Sequence, residues 1–325
     1  MTNKARSQQR GRRAERPGEI PRHGWKDILV RVKDEQKKDN LSVVAAGVAF
    51  YAMLSIFPAL AALVSIYGIF ADPGEVQQQI AQLSGFIPQE TRQVLEEQVG
   101  RFVSTSSGAL GFGAIGGLLI ALWSANKGMK ALMTALDIVY DEEETRGFFK
   151  INGISLLLTF VGVLTAVISL ILIAVIPVIL GYIGIPQGIQ AVLAYGRWPF
   201  LALVIVLLLG VLYRFAPNRD EPQWKWVSWG SVTATVLWIA ASLLFSFYVS
   251  NFGSYNKTYG SMGAIIILLM WFFLSAYAVL IGAELNAEME HQTGKDTTRG
   301  EPRPMGERDA RMADTLGKKA EKKRR

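Results

Sequence analysis

Polar side chains at the ends of long apolar runs are where this chain could do chemistry. A charge at membrane depth is expensive and usually marks a site. Few such residues exist. Asn126 and Lys127 follow one uncharged run, Arg214 and Asn218 close a second, and Glu284 and Asn286 close a third. These six share one depth, so they could converge on a polar cavity open at one membrane face. Tyr51 and Ser55, inside the first apolar run, could line the same cavity. Two cations, one carboxylate and several amide and hydroxyl groups suit binding of a polar solute or a lipid headgroup. Blander roles are open for each residue. Lys127 could snorkel to the interface, Arg214 could anchor its helix or pair with Glu284, and Tyr51 could pack between helices.

Bond-breaking chemistry has less support. The chain has no cysteine, which removes thiolate catalysis and disulfides. His23 and His291 are the two histidines, and both lie outside the apolar runs. No HExxH, GxxxxGK[ST] or G-x-S-x-G pattern occurs, so metalloprotease, P-loop and serine-hydrolase readings lack their motifs. Gly111 to Gly116 matches GxGxxG but sits inside an apolar helix with no preceding strand. The acidic run Asp141–Glu144 reads as solvated loop. No catalytic residue, metal ligand or cofactor is expected, and the chain is read as a non-enzyme.

The elements that must position these residues are membrane helices. Leu41–Phe70 is thirty residues without a charge, long enough to cross a bilayer with tilt. Further spans are read at about 108–125, 153–181, 198–212, 227–250 and 261–283. The expected fold is an all-α integral membrane protein with six transmembrane helices, occupying residues 41–290. Pro58 and Pro177 lie inside spans, and Pro199 is taken as the first residue of the fourth helix. Residues 71–107 read as a cap of two short amphipathic helices. Residues 1–40 form a basic tail ending in an interfacial amphipathic helix over 24–38, where Trp25, Ile28, Leu29 and Val32 make one stripe. Residues 291–325 read as a disordered charged tail, and no cleavable signal peptide is apparent.

Charge sets the orientation. Loops on one side, with the adjoining twenty residues of each tail, carry sixteen Lys and Arg, against four on the other. The positive-inside rule then puts both termini in the cytoplasm and the 71–107 cap outside. The net charge of +7 is explained this way. Membrane lipids are the expected partners, with anionic lipid at the basic N-terminal tail. No nucleic acid is expected, and a homo-oligomer is left open.

With the spans placed, several stretches resemble the YihY/virulence factor BrkB family of bacterial inner-membrane proteins. They are Ala49–Pro58, Leu122–Ser124 with Asn126, Leu136–Tyr140, Tyr213–Asn218, Phe245–Phe252, Tyr255–Ala264, Trp271 and Gly282–Asn286. The resemblance covers roughly residues 25–290. It implies a six-helix protein of the bacterial inner membrane and no settled reaction, although the family once carried the label ribonuclease BN. The reading that follows is a permease-like protein handling lipid or small solutes. A structural or scaffolding envelope protein is the alternative, and a nuclease ranks third.

Overall fold

The computed structural model describes residues 10–70, 107–175, 187–252 and 261–319. Among these the secondary structure is helical, with one isolated β-bridge between Pro222 and Thr298. In chain order the helices are α1 (Arg22–Lys38), α2 (Leu41–Phe70), α3 (Ser107–Val139), α4 (Phe148–Leu170), α5 (Gln187–Phe215), α6 (Trp224–Phe252), α7 (Ser261–Glu290) and the single turn α8 (Arg311–Asp314). The 71–107 cap and the Tyr255–Gly260 turn lie outside the described residues, apart from Ser107 at the head of α3.

Among the described residues four segments are long and apolar enough to cross a membrane: Phe148–Ile173, Tyr195–Phe215, Trp224–Ser250 and Ile265–Glu290. A fifth arises if α1 and the start of α2 count as one span, bent by 64°. That bend has a local cause. Asn40 sits between the two helices at φ 50, a left-handed conformation that asparagine tolerates better than most residues. A second break is built the same way at the end of α3. Asp141 has φ 55, and the Glu142 N–H closes back onto the Asp137 carbonyl at 2.9 Å, the bonding of a Schellman cap.

The thirty-residue run read as the first span is the helix Leu41–Phe70, and the second run continues as one helix to Val139. Helix α5, read from the sequence as the fourth span, corrects the expectation. It begins at Gln187, so Pro199 lies in its interior rather than at its start. An interior proline costs one backbone hydrogen bond. The charge-poor residues before it nevertheless continue the helix.

The chain divides into two compact units: residues 1–48, 129–247 and 273–325 form one, and residues 49–128 and 248–272 the other. The larger unit has its apolar core among Leu41, Leu136, Tyr140, Tyr213, Val227 and Leu280, all buried. Within it α6 and α7 make their closest approach at Gly230 and Gly282. A Cβ on Gly282 would lie 2.6 Å from the Gly230 carbonyl oxygen, so neither position accepts a side chain without movement. Asn286 fastens this crossing: its Oδ1 accepts from the Gly230 N–H at 2.8 Å and its Nδ2 donates to the Val227 carbonyl at 3.2 Å. Small residues with a bridging amide are how membrane helices pack closely where lipid removes the hydrophobic drive. Buried Thr159, Ser231 and Thr235 bond back to carbonyls one turn earlier, so their hydroxyls carry no unmet demand. Large apolar side chains point outward instead, Phe149, Leu157, Leu243, Leu244 and Phe247 among them.

Candidate functional site

One end of the larger unit is a layer of charged residues, and it is built from four segments that are far apart in sequence. Residues 10–40, 130–152, 213–226 and 284–319 supply it. Arg219 and Glu290 lie at its centre with both side chains fully buried. Arg219 donates to the two Glu290 oxygens at 3.2 and 2.6 Å, and its guanidinium lies 4.9 Å from the Tyr140 ring. Thr297 donates to Glu290 at 2.6 Å. To one side Arg31 pairs with the buried Glu288, whose other oxygen is 3.6 Å from His291 Nδ1. Arg10 pairs with the buried Asp27. The geometry is costly in pieces and stable as a whole, since a buried charge is tolerated only when it is paired and its remaining bonds are met.

The layer corrects two readings of the chain ends. Most of the α1 stripe packs inside the protein: Ile28 and Val32 are buried beside Asp27 and Arg31, and Trp25 packs against them, while Leu29 is 58% exposed. Paired charges are buried beside the apolar stripe, at positions that periodicity leaves to solvent. Residues 10–21 and 291–319, whose composition suggests solvated arms, are described as folded segments that cross-link the layer. Arg12 donates to the carbonyls of His291, Gln292 and Gly317, and Arg31 to that of Lys318 at 3.1 Å.

The eight candidate residues divide between the units. Tyr51, Ser55, Asn126 and Lys127 belong to the smaller one, Arg214, Asn218, Glu284 and Asn286 to the larger. In the smaller unit Ser55 Oγ lies 2.8 Å from both the Tyr51 and Ser124 carbonyls, giving its one proton to either and tying α2 to α3. The Lys127 ammonium lies 3.8 Å from the centre of the Trp123 ring. Tyr51 is partly exposed, whereas Asn126 is buried and its Oδ1 accepts no hydrogen bond among the described residues.

In the larger unit Arg214 does not pair with Glu284. Its Nη2 donates to Glu221 at 2.7 Å, seven residues on, where the chain turns between α5 and α6. Glu284 is fully buried, and neither of its oxygens accepts a hydrogen bond among the described residues. Asn286 serves the α6–α7 crossing. Asn218 is a joint in the layer: its N–H donates to Asp137 at 2.7 Å, and its Nδ2 to the Glu143 carbonyl at 2.6 Å and the Thr145 hydroxyl at 2.8 Å. Burial raises the Asp137 carboxyl to about 6, although the Asn218 N–H and Arg146 pull the other way.

Two of the concavities in this layer involve candidate residues. A polar basin of about 770 Å³ is lined by residues 141–150, 218–220 and 309–314, with carboxylates and guanidinium groups interspersed. A smaller pocket of about 450 Å³ is lined by Arg214, Phe215, Gln223, Trp224 and Arg299. Glu221 and Arg299 were not among the residues singled out from sequence. Their sole signal is charge beside an apolar run, and Arg299 lies 85 positions from Arg214 in a stretch that reads as tail. Among the described residues no group of three or more His, Asp or Glu could hold a metal ion.

A model of the virulence factor BrkB family matches residues 32–306. The chain belongs to that family. It is 33% identical over 251 residues to the ribonuclease-like protein YfkH of Bacillus subtilis, covering 75% of this chain and 88% of that protein. It is 27% identical over 276 residues to a UPF0761 membrane protein of Tolumonas auensis, covering 81% and 85% of the two chains. A UPF0761 membrane protein of Idiomarina loihiensis is 26% identical over 269 residues, covering 78% and 87%. No solved structure matches. The match spans the four described membrane-length segments and every residue lining the smaller pocket, and it ends short of the 309–314 edge of the basin.

Proposed function

We propose that this BrkB-family chain is a six-pass protein of the bacterial inner membrane, with both ends cytoplasmic and a permease-like role in handling lipid or small polar solutes. The single observation that carries the role is the pocket where α5 ends and α6 begins, with two arginines and a half-exposed tryptophan at the edge of two membrane-length helices. The buried carboxyl of Glu284 in the last such helix, which accepts no hydrogen bond among the described residues, adds to it, because polar groups at that depth are seldom kept for packing alone. Support for the topology comes from the fourfold charge bias, and from the fact that the four basic loops meet in one layer. Two spans between Leu41 and Val139 return the chain to the layer it left, as do the pairs α4–α5 and α6–α7.

The test is lipid exchange between leaflets in proteoliposomes carrying a headgroup- or tail-labelled fluorescent phospholipid. Adding an impermeant quencher should bleach clearly more than the outer-leaflet half. Bleaching that stops at half, with protein of verified fold, would remove the lipid-handling role. A scaffolding role then takes precedence. It is favoured by the degree to which the charged layer satisfies its own members, Arg219 with Glu290 above all. The ribonuclease-like name of the Bacillus subtilis relative keeps a nuclease as the third reading, with no motif in this chain to recommend it.

A further inference from the structure

The pocket at the α5–α6 turn has a shape and charge that name its occupant more narrowly. Arg214 is held against two rings, its guanidinium 4.8 Å from the centre of Trp224 and 5.3 Å from that of Phe215. Arg299 arrives from the far end of the chain by a short antiparallel pairing. The Arg299 N–H donates to the Glu221 carbonyl at 2.8 Å, and the Gln223 N–H to that of Thr297 at 2.9 Å, on either side of the Pro222–Thr298 bridge. This brings the Arg299 Nη1 to 3.4 Å from the same Glu221 oxygen that Arg214 bonds at 2.7 Å. Two guanidinium groups therefore share one carboxylate, leaving one positive charge in excess. Arg214 Nε is buried and donates to nothing among the described residues. Arg214 is also in the last turn of one candidate span and Trp224 is the first residue of the next, so the pocket sits at the edge of the apolar slab.

We propose that this pocket binds the phosphodiester headgroup of an anionic glycerophospholipid, with the phosphate between Arg214 and Arg299 and the upper acyl carbons against Trp224. The forked donors of two arginines match phosphate oxygens, and basic pockets at the ends of membrane helices recognise lipid headgroups in this way. The exposed indole adds an apolar wall, which a free inorganic phosphate would leave uncovered. Glu221 is the internal competitor: it holds the arginines in register and is displaced in part when the phosphate enters. The proposal rests on the membrane reading above for the depth of the pocket, and not on whether lipid crosses the bilayer.

The test is lipid retention by the purified full-length protein, read by native mass spectrometry after extraction from nanodiscs of phosphatidylcholine with a minority of phosphatidylglycerol. Phosphatidylglycerol should be retained preferentially. Arg299→Ala should weaken its retention about tenfold, the size of one charge-assisted hydrogen bond lost. Glu221→Gln should strengthen it by a similar factor, an increase that misfolding cannot produce. Phosphatidylglycerol held no better than phosphatidylcholine, or unaffected by both substitutions, overturns the proposal. So does inorganic phosphate that displaces the lipid at equal concentration. Lipid bound with these preferences but never moved between leaflets supports the pocket and removes only the lipid-transport part of the permease reading.

Discussion

The charged layer and the apolar helices beyond it bury opposite kinds of residue. In the layer Arg219 and Glu290 are fully enclosed, while along α4 and α6 Phe149, Leu243 and Leu244 face outward and the α6–α7 crossing is left to Gly230, Ser231, Ala234 and Gly282. The contrast follows from the solvent each region meets. Lipid is as apolar as leucine, so large side chains gain nothing by turning inward and close backbone packing decides the interior. In the layer there is water to escape from, and charge can be enclosed where its partner is enclosed with it.

The sharpest way to break this contrast is to remove one member of the enclosed pair. Arg219→Ala strands Glu290 and should destabilise the protein by about 3–5 kcal/mol in denaturant or thermal unfolding in detergent. Arg219→Met combined with Glu290→Leu should recover much of that loss, because a matched apolar pair leaves no charge behind. If the single and double variants lose the same amount, the pair is not what holds the layer together.

A milder perturbation uses pH. The Asp137 carboxyl is raised by burial to about 6, above the roughly 3.9 of an unfolded aspartate. The folded state thus favours the protonated form, and the stability this group contributes is full below about pH 4 and lost as pH rises through 6. Asp137→Asn, which keeps an acceptor for the Asn218 N–H, should match the parent near pH 4 and gain on it by pH 7, by on the order of 2 kcal/mol. Parallel stability curves for the two proteins across that range would contradict the buried-carboxyl account. The smallest effect belongs to the apolar surface. Leu244→Ala, at an outward-facing position of α6, should change stability by less than about 0.5 kcal/mol. A loss of core size there would mean that this face packs against protein.

What could be read in advance tracks the same division. Hydropathy finds the helix Leu41–Phe70 to the residue, because thirty uncharged positions leave few alternatives in lipid. It also finds the run from about residue 108, which lies in the helix Ser107–Val139. It misses the start of α5 at Gln187, since a proline inside a helix and one at its first turn look alike in sequence. The layer is almost illegible. Pairs such as Arg31 with Glu288 join positions more than 250 residues apart, and a charged segment that folds by pairing has the composition of one that does not fold. Of the candidate residues, Arg214 lies in the last turn of its helix as the sequence suggests, but its partner is Glu221 rather than Glu284. Asn286 was legible as a polar residue at depth. Its task of fastening Gly230 to α7 depends on a backbone approach that no spacing rule reveals.

Everything functional in this account requires the layer to face the cytoplasm while the 71–107 segment faces out. The chain contains no cysteine, so single cysteines can be placed on an unreactive background. Glu143→Cys, Glu301→Cys and Gln89→Cys in intact cells, treated with a membrane-impermeant maleimide, test this directly. Gln89→Cys should label from outside, and the other two only after the membrane is permeabilised. Labelling of all three from the same side of the intact membrane would contradict the six-pass topology and the pocket assignments that depend on it.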